Sequence, residues 1–237
     1  MPQVIDGYKV TGFTEDAIIN SQISTLVLSD NIKFVDFDMY YEFSSLKSIF
    51  IGSGAQRIMD GLFFNCPNLE QVTVNVQNPN YYSENNCILT KEDNVLIASS
   101  VAMDSIPRSA KIIGGNSFLN LPIETVVIPD GVDEIRDLAF QHCNKLYAVF
   151  IPDNVVTIYD RIFLDPRAEE TKSHITVFCE AKNKPADWDD KWYYAFSRGY
   201  GDEHDDAYYK ELNDKYVRIH WGATIEDYYD FINSNQN

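Results

Sequence analysis

Positive charge is scarce in this chain. Lys and Arg number 19 against 36 Asp and Glu over 237 residues, a formal net charge of −17. Phosphate backbones and anionic lipid surfaces are bound by clustered cations, so this balance argues against nucleic-acid and membrane-surface partners. Cysteine is also scarce. Cys66, Cys87, Cys143 and Cys179 are too few for a dense disulfide framework, and none stands in a CxxC pair, so no structural zinc site is expected. No apolar run is long enough to span a membrane. The opening MPQVIDGYKVTGF has neither a basic nor an apolar stretch of the kind a signal peptide carries, so no leader is expected in these residues. G-x-S-x-G, P-loop, GxGxxG and H-E-x-x-H motifs are all missing, and no constellation of residues points to an enzyme.

The composition is that of a folded chain: 45% of residues are hydrophobic and 14% aromatic. Its most informative feature is repetition. IPDGVDEIRDLAF is followed by IPDNVVTIYDRIF, and the same skeleton starts at Ile23, Leu46 and Leu69, then at Ile123 and Leu146, with a period of 23 residues inside each group. The unit reads L-x-x-I-x-I, six residues, Ile, a small or apolar residue with Phe, and finally Cys or an apolar residue. One slot holds Val35, Ile58, Ile113, Ile135 and Ile158; an aromatic slot holds Tyr40, Phe63, Phe118, Phe140 and Phe163; a third holds Phe43, Cys66, Leu121 and Cys143. A fixed period with equivalent slots is the signature of a solenoid, in which each turn buries its apolar face against copies above and below.

Within L-x-x-I-x-I the apolar residues stand two apart, as in Ile49/Ile51, Val72/Val74, Val126/Ile128 and Val149/Ile151. That spacing predicts a strand with one face inward, and successive copies form a parallel sheet. Pro129 and Pro152 lack an N–H and suit the exit from a strand. The second half of the unit is too short for a long helix and reads as one helical turn or irregular structure on the convex side.

These residues resemble the BspA-type leucine-rich repeats of bacterial surface and secreted proteins, through IPDGVDEIRDLAFQHCNKLYAVFIPDNVVTI and IGSGAQRIMDGLFFNCPNLEQVTV. The resemblance implies a β-rich α/β fold: a right-handed leucine-rich-repeat solenoid with a parallel concave sheet, a hairpin insertion and a C-terminal cap. It spans residues 1–192, with a degenerate N-terminal repeat at 1–22 (Phe13 and Ile18 in the core slots). A hairpin insertion falls at 78–99, with strands Cys87–Thr90 and Val95–Ala98. Trp188 and Trp192 resemble the family's closing segment, packing over the last turn. Departures are local. Asp104 stands where an inward apolar residue belongs, Pro166 replaces the Cys slot, and residues 193–237 form a capping extension with an acidic, Tyr-rich insertion before VRIHWG. In ATIEDYYDFINSNQN, the residues Ile225, Tyr228, Tyr229 and Ile232 have helical spacing.

Candidate sites follow from the geometry this implies. The residue between the two inward positions of each strand points to the open, concave face: Val27, Phe50, Thr73, Ser105, Val127, Phe150 and Phe178. A neighbouring row holds Thr25, Ser48, Gln71, Thr125, Ala148 and Thr176. Aromatics rimmed by polar residues fit a protein partner, and Val27, Phe50, Thr73, Val127, Phe150 and Phe178 are the partner-binding candidates. The competing reading is a face filled by good strand formers and partly covered by the hairpin or the tail. No catalytic, cofactor or metal site is assigned. Cys66 and Cys143 fall in a repeat slot, His142 reads as a solvated loop residue and His220 as an outward strand residue. Asp202, Glu203, His204, Asp205, Asp206 and Asp214 read as a solvated acidic loop, with a Ca²⁺ site as the alternative. The resemblance implies a non-enzymatic interaction module, adhesin-like, with a host protein as partner and a cell-surface or secreted address. With no leader expected in these residues, the cytoplasm is the alternative address. The alternatives are a metal-dependent or catalytic role for the acidic insertion, and a tail that only caps its own solenoid.

Overall fold

The computed structural model describes residues 22–36, 42–165, 174–196 and 205–235, together with the backbone of β1 (Val4–Ile5) and β2 (Tyr8–Lys9), an antiparallel pair. Phe13, Ile18, Tyr40, Pro166, Asp202, Glu203 and His204 lie outside the described residues. The expected solenoid is present. In the first block of repeats, β3 (Thr25–Leu28), β5 (Ser48–Ile51) and β7 (Gln71–Val74) form a parallel concave sheet. The register is the one the period demands, with Val27 opposite Phe50 and Phe50 opposite Thr73. Alternate residues Leu26, Leu28, Ile49, Ile51, Val72 and Val74 are buried, so the two-residue spacing does sort core from surface.

The isoleucine slot also forms strands, where the short second half of the unit predicts one helical turn or irregular structure. In the first block, β4 (Phe34–Val35) pairs with β6 (Arg57–Ile58). In the second, β11 (Ile112–Ile113), β13 (Glu134–Ile135) and β15 (Thr157–Ile158) form a parallel ladder. Turns follow. At one turn position the backbone is left-handed in four of the described repeats, at Gly61 (φ 67°), Asn116 (φ 58°), Leu138 (φ 60°) and Arg161 (φ 51°). A conformation that ordinarily favours Gly or Asn is thus imposed on Leu and Arg by the repeat geometry.

The insertion has three strands, β8 (Tyr81–Glu84), β9 (Cys87–Thr90) and β10 (Val95–Ser99), so the expected hairpin acquires an additional strand at 81–84. Asn85 and Asn86, both at positive φ, make the tight turn between β8 and β9. The insertion is no surface excursion. Ile88, Val95 and Ile97 pack into the core of the first block, whereas Cys87, Leu89 and Leu96 pack into that of the second. Burial on both sides explains the continuous apolar runs of these strands. β10 also pairs with β11, which joins the insertion to the second block.

The concave sheet restarts at β12 (Thr125–Val127), followed in parallel by β14 (Ala148–Ile151), β16 (Ile175–Cys179) and β17 (Val217–Trp221). Phe118 stacks on Phe140 at 4.8 Å between ring centroids, Phe140 on Phe163 at 5.9 Å, and Phe163 meets Trp192 at 6.4 Å. Trp188 and Trp192 therefore close the aromatic column, as the resemblance implied; the Trp188 indole N–H donates to the Val155 carbonyl at 3.1 Å.

Adjacent turns approach so closely that side chains must be absent at some positions. A Cβ on Gly54 would stand 1.7 Å from the Asp30 carbonyl oxygen, a backbone atom that cannot swing aside. Gly54→Val is accordingly expected to destabilise the chain by at least about 1–3 kcal/mol, as overpacking does, with a lower midpoint in thermal unfolding followed by circular dichroism.

Residues 206–216, expected as part of a solvated acidic loop, are instead helix α1 (Asp206–Tyr216). Asp205 caps it by accepting the Tyr208 N–H at 2.9 Å, and Tyr209 and Tyr216 enter the main core. The last described element is α2 (Ile225–Asn235), which lies on the concave face against β14 and β16.

Candidate functional site on the concave face

The concave face has an open half, a break and a covered half. The open half is the β3–β5–β7 surface. Val27 is 47% exposed and Phe50 and Thr73 are half-buried, aligned side by side. Thr25, Ser48 and Gln71 form the polar row beside them, and Ser48 donates its hydroxyl to Thr25 Oγ1 at 3.0 Å. Lys47 and Glu70 pair at 3.2 Å on the surface.

The break falls where Asp104 disturbed the repeat. No strand forms between β10 and β11 among the described residues, so the concave sheet is interrupted between β7 and β12. Side chains of the insertion take over from the missing strand. The Val72 N–H donates to Asn86 Oδ1 at 3.1 Å, the Val74 N–H to Ser83 Oγ at 3.0 Å, and Asn86 Nδ2 reaches the Ala102 carbonyl at 3.1 Å. Otherwise, orphaned strand amides would each cost about 1–3 kcal/mol. Beside the break lies a groove of about 540 Å³, lined by Ser105, Arg108, Val127, Asp130 and Tyr229 among others. Ser105 and Val127 were expected on this face, and both are exposed. Arg108 and Tyr229 were not singled out as face residues. Arg108 sits in the irregular repeat, where no strand alternation assigns a direction.

The covered half differs from expectation. Phe178 aligns with Phe150 in the predicted register, but the two are only 5% and 4% exposed and therefore not on an open surface. Ala148 and Thr176 of the neighbouring row are buried with them. The cover is α2. Tyr228 meets the Phe150 and Phe178 rings edge-on at 6.1 and 5.8 Å, and Phe231 lies 5.3 Å from Phe178. Of the four residues with helical spacing, Ile225, Tyr228 and Ile232 do pack on the sheet, while Tyr229 is exposed and Phe231 packs instead. Thr224 and Asp227 cap α2 reciprocally: the Thr224 N–H and hydroxyl donate to Asp227 Oδ2, and the Asp227 N–H returns to Thr224 Oγ1. These bonds from Thr224 hold the Asp227 carboxyl below the usual range. His220 faces outward as expected, stacked on Phe178 at 5.2 Å.

The chemistry-bearing side chains elsewhere are engaged structurally. All four thiols are buried, and burial pushes each up to about 12, so at neutral pH none is a thiolate nucleophile. His142 is half-buried rather than solvated, with Nδ1 3.4 Å from Asp165 Oδ1. Asp206 pairs with Lys191 at 3.3 Å, and Asp214 takes Lys210 and the Tyr193 hydroxyl, both at 2.6 Å. Among the described residues no group of three or more His, Cys, Asp or Glu is arranged to hold a metal. No described helix is long and apolar enough to cross a membrane.

The family model for the BspA type leucine rich repeat region, in six copies, matches residues 4–90 and 98–177, more than half of the chain. The chain belongs to the BspA-type leucine-rich repeat family. Among solved structures, this leucine-rich-repeat chain is similar to a leucine-rich repeat protein from Eubacterium ventriosum, with 24% identity and a TM-score of 0.51 over 68% of the chain and 44% of that protein. It is also similar to the pneumococcal vaccine antigen PcpA, with 13% identity and a TM-score of 0.42 over 86% of the chain and 69% of the antigen. A third similarity is to a leucine-rich cell surface protein from Faecalibacterium prausnitzii, with 19% identity and a TM-score of 0.33 over 57% and 55% of the respective chains. The chain thus spans less than half the length of the Eubacterium protein. No curated protein is significantly similar to it.

Proposed function

We propose that this leucine-rich-repeat chain is a non-enzymatic protein-interaction module whose partner docks on the open half of the concave face. One observation carries the reading. Val27, Phe50 and Thr73 are aligned on an uncovered sheet surface and rimmed by Thr25, Ser48 and Gln71. A solenoid sheet presents such a surface without further elaboration, and an apolar centre with a polar rim is the anatomy of a protein interface. Val127 extends the face across the groove. Phe150 and Phe178 belong to the partner's footprint only when α2 is displaced. Membership of the BspA-type family supports a cell-surface or secreted address and an adhesin-like role, with a host extracellular protein as partner.

The test compares wild type with a Val27→Glu/Phe50→Ser double variant against a panel of purified extracellular-matrix proteins. The expected result is capture by wild type and at least about a tenfold loss in the variant, the size of effect a central interface residue produces. Little change in melting temperature is expected, because Val27 is exposed and Phe50 is half-buried. Undiminished capture by the folded double variant overturns the proposal.

A further inference from the structure

Among the described residues, two helices follow the repeats, and they are held differently. α1 places Tyr209 and Tyr216 in the main core, and its buried Asn213 is bonded to residues 195 and 196. α2 makes a cluster of its own with Ala148, Phe150, Phe178 and Ala223, separate from both repeat cores. Only Tyr228 of α2 is fully buried; Ile225, Phe231 and Ile232 are half-buried. An 11-residue helix is marginal on its own, so α2 persists through this contact and its cap. The tether is firmly placed: the Gly222 N–H donates to the Ala181 carbonyl and the Ala223 N–H to the Cys179 carbonyl. A hinge therefore falls at Thr224, beyond the last pinned residue.

The surface beneath α2 matches that occupant in charge as well as shape. α2 carries Glu226, Asp227 and Asp230 and no basic residue in its last turn. Facing the helix from β17 are His220, stacked on Phe178, and Arg218, which lines a cavity with Glu124, Phe231 and Asn235 at the helix C-terminus. Arg218 makes no ion pair among the described residues, and a cation there complements the negative end of a helix dipole. The same register runs from Val127 through Phe150 and Phe178 to His220, so the seat continues the exposed face across Val127.

We infer that the aromatic seat formed by Phe150 and Phe178 is a latent interaction surface, occupied in this structure by α2, and that the partner segment it accepts is a short acidic amphipathic helix with aromatic anchors three residues apart. The interaction role is the one proposed above. α2 is the tethered competitor, present at the high effective concentration that a short link provides. A partner helix reaches the seat when α2 swings out about Thr224.

Hydrogen–deuterium exchange on the full chain tests whether the seat opens. The α2 amides from Tyr228 to Asn235 are expected to exchange at least about 100-fold faster than those of Val149–Ile151 and Val177–Cys179, as a unit opening below the global free energy does. If α2 exchanges together with β14 and β16, the seat opens only when the fold does, and the inference fails. The second arm adds a synthetic peptide of residues 223–235 to the Phe231→Asp chain and reads the aromatic NMR shifts of Phe150 and Phe178. Saturable shifts are expected, with binding to wild type about tenfold weaker or less because the resident helix competes. A folded Phe231→Asp chain that shows no shifts overturns the inference, and should that variant not fold, the exchange measurement on wild type decides. Neither arm involves Val27 or Phe50, so failure here is separable from failure of the open-face proposal.

Discussion

Truncating Phe140 to Ala is expected to destabilise the protein by about 3–5 kcal/mol, the range for a large buried aromatic. Phe140 is almost fully buried and stands in the middle of the aromatic column, stacked on Phe118 and tilted against Phe163. A solenoid has nothing else to put in that space. Each turn contributes one ring, and the turns on either side are held at a fixed separation by their own strand ladders, so the cavity cannot collapse. Chemical denaturation followed by tryptophan fluorescence measures the loss. Phe140→Leu, which keeps most of the volume, is expected to lose much less. Equal losses for the two variants would mean that ring stacking rather than filled volume holds the column.

Asn213→Ala is expected to have the next largest effect and to act on a different link of the structure. Asn213 is fully buried; its Oδ1 accepts the Ala195 N–H at 2.7 Å and the Phe196 N–H at 2.9 Å, and its Nδ2 donates to the Phe196 carbonyl at 3.0 Å and the Tyr209 carbonyl at 2.6 Å. One amide thus satisfies the backbone that follows Trp192 and fixes α1 against it. Removal leaves two buried amides without an acceptor, each costing about 1–3 kcal/mol. Asn213→Asp sharpens the test. The carboxylate still accepts from Ala195 and Phe196, but its second oxygen faces two carbonyls that previously accepted hydrogen bonds. The aspartate variant is expected to be destabilised as well, and to recover on acidification as its carboxyl takes up a proton. Burial among carbonyls raises that carboxyl, so the native state binds the proton more tightly than the unfolded chain, and stability increases as pH falls through the folded-state value. Urea denaturation at neutral and mildly acidic pH measures both variants.

Much of this architecture was legible in the sequence because solenoid turns repeat both their local geometry and their neighbours. Ile58 and Ile135 have the same environment, so one motif specifies both, and the register of Val27, Phe50 and Thr73 follows from the period alone. The irregularity at Asp104 was legible for the same reason, as a violated slot. Its consequence was not: the bridging role of Asn86 depends on a hairpin tip folding back to within hydrogen-bond distance of Val72 and Ala102. The third strand at 81–84 was missed because its residues are all half-buried and show no two-residue alternation.

The concave site divides along the same line. Strand alternation placed Val27, Phe50 and Thr73, and likewise Val127, Phe150 and Phe178, in one register on one side of the sheet, but alternation reports only which side a side chain leaves, and is silent about what lies above it. Phe150 and Phe178 leave the same side as Phe50 and are nonetheless buried, because a helix more than forty residues further along the chain returns over them. The helical spacing of Ile225, Tyr228 and Ile232 announced an apolar stripe without naming its target. By itself, then, the sequence determined the repeat, the strand register and the inward core, since these follow from contacts at a constant separation along the chain. The tertiary structure alone decided that the insertion divides two cores, that 206–216 is a docked helix and that half of the concave face is closed. Those outcomes rest on contacts between unlike segments, which no periodicity encodes.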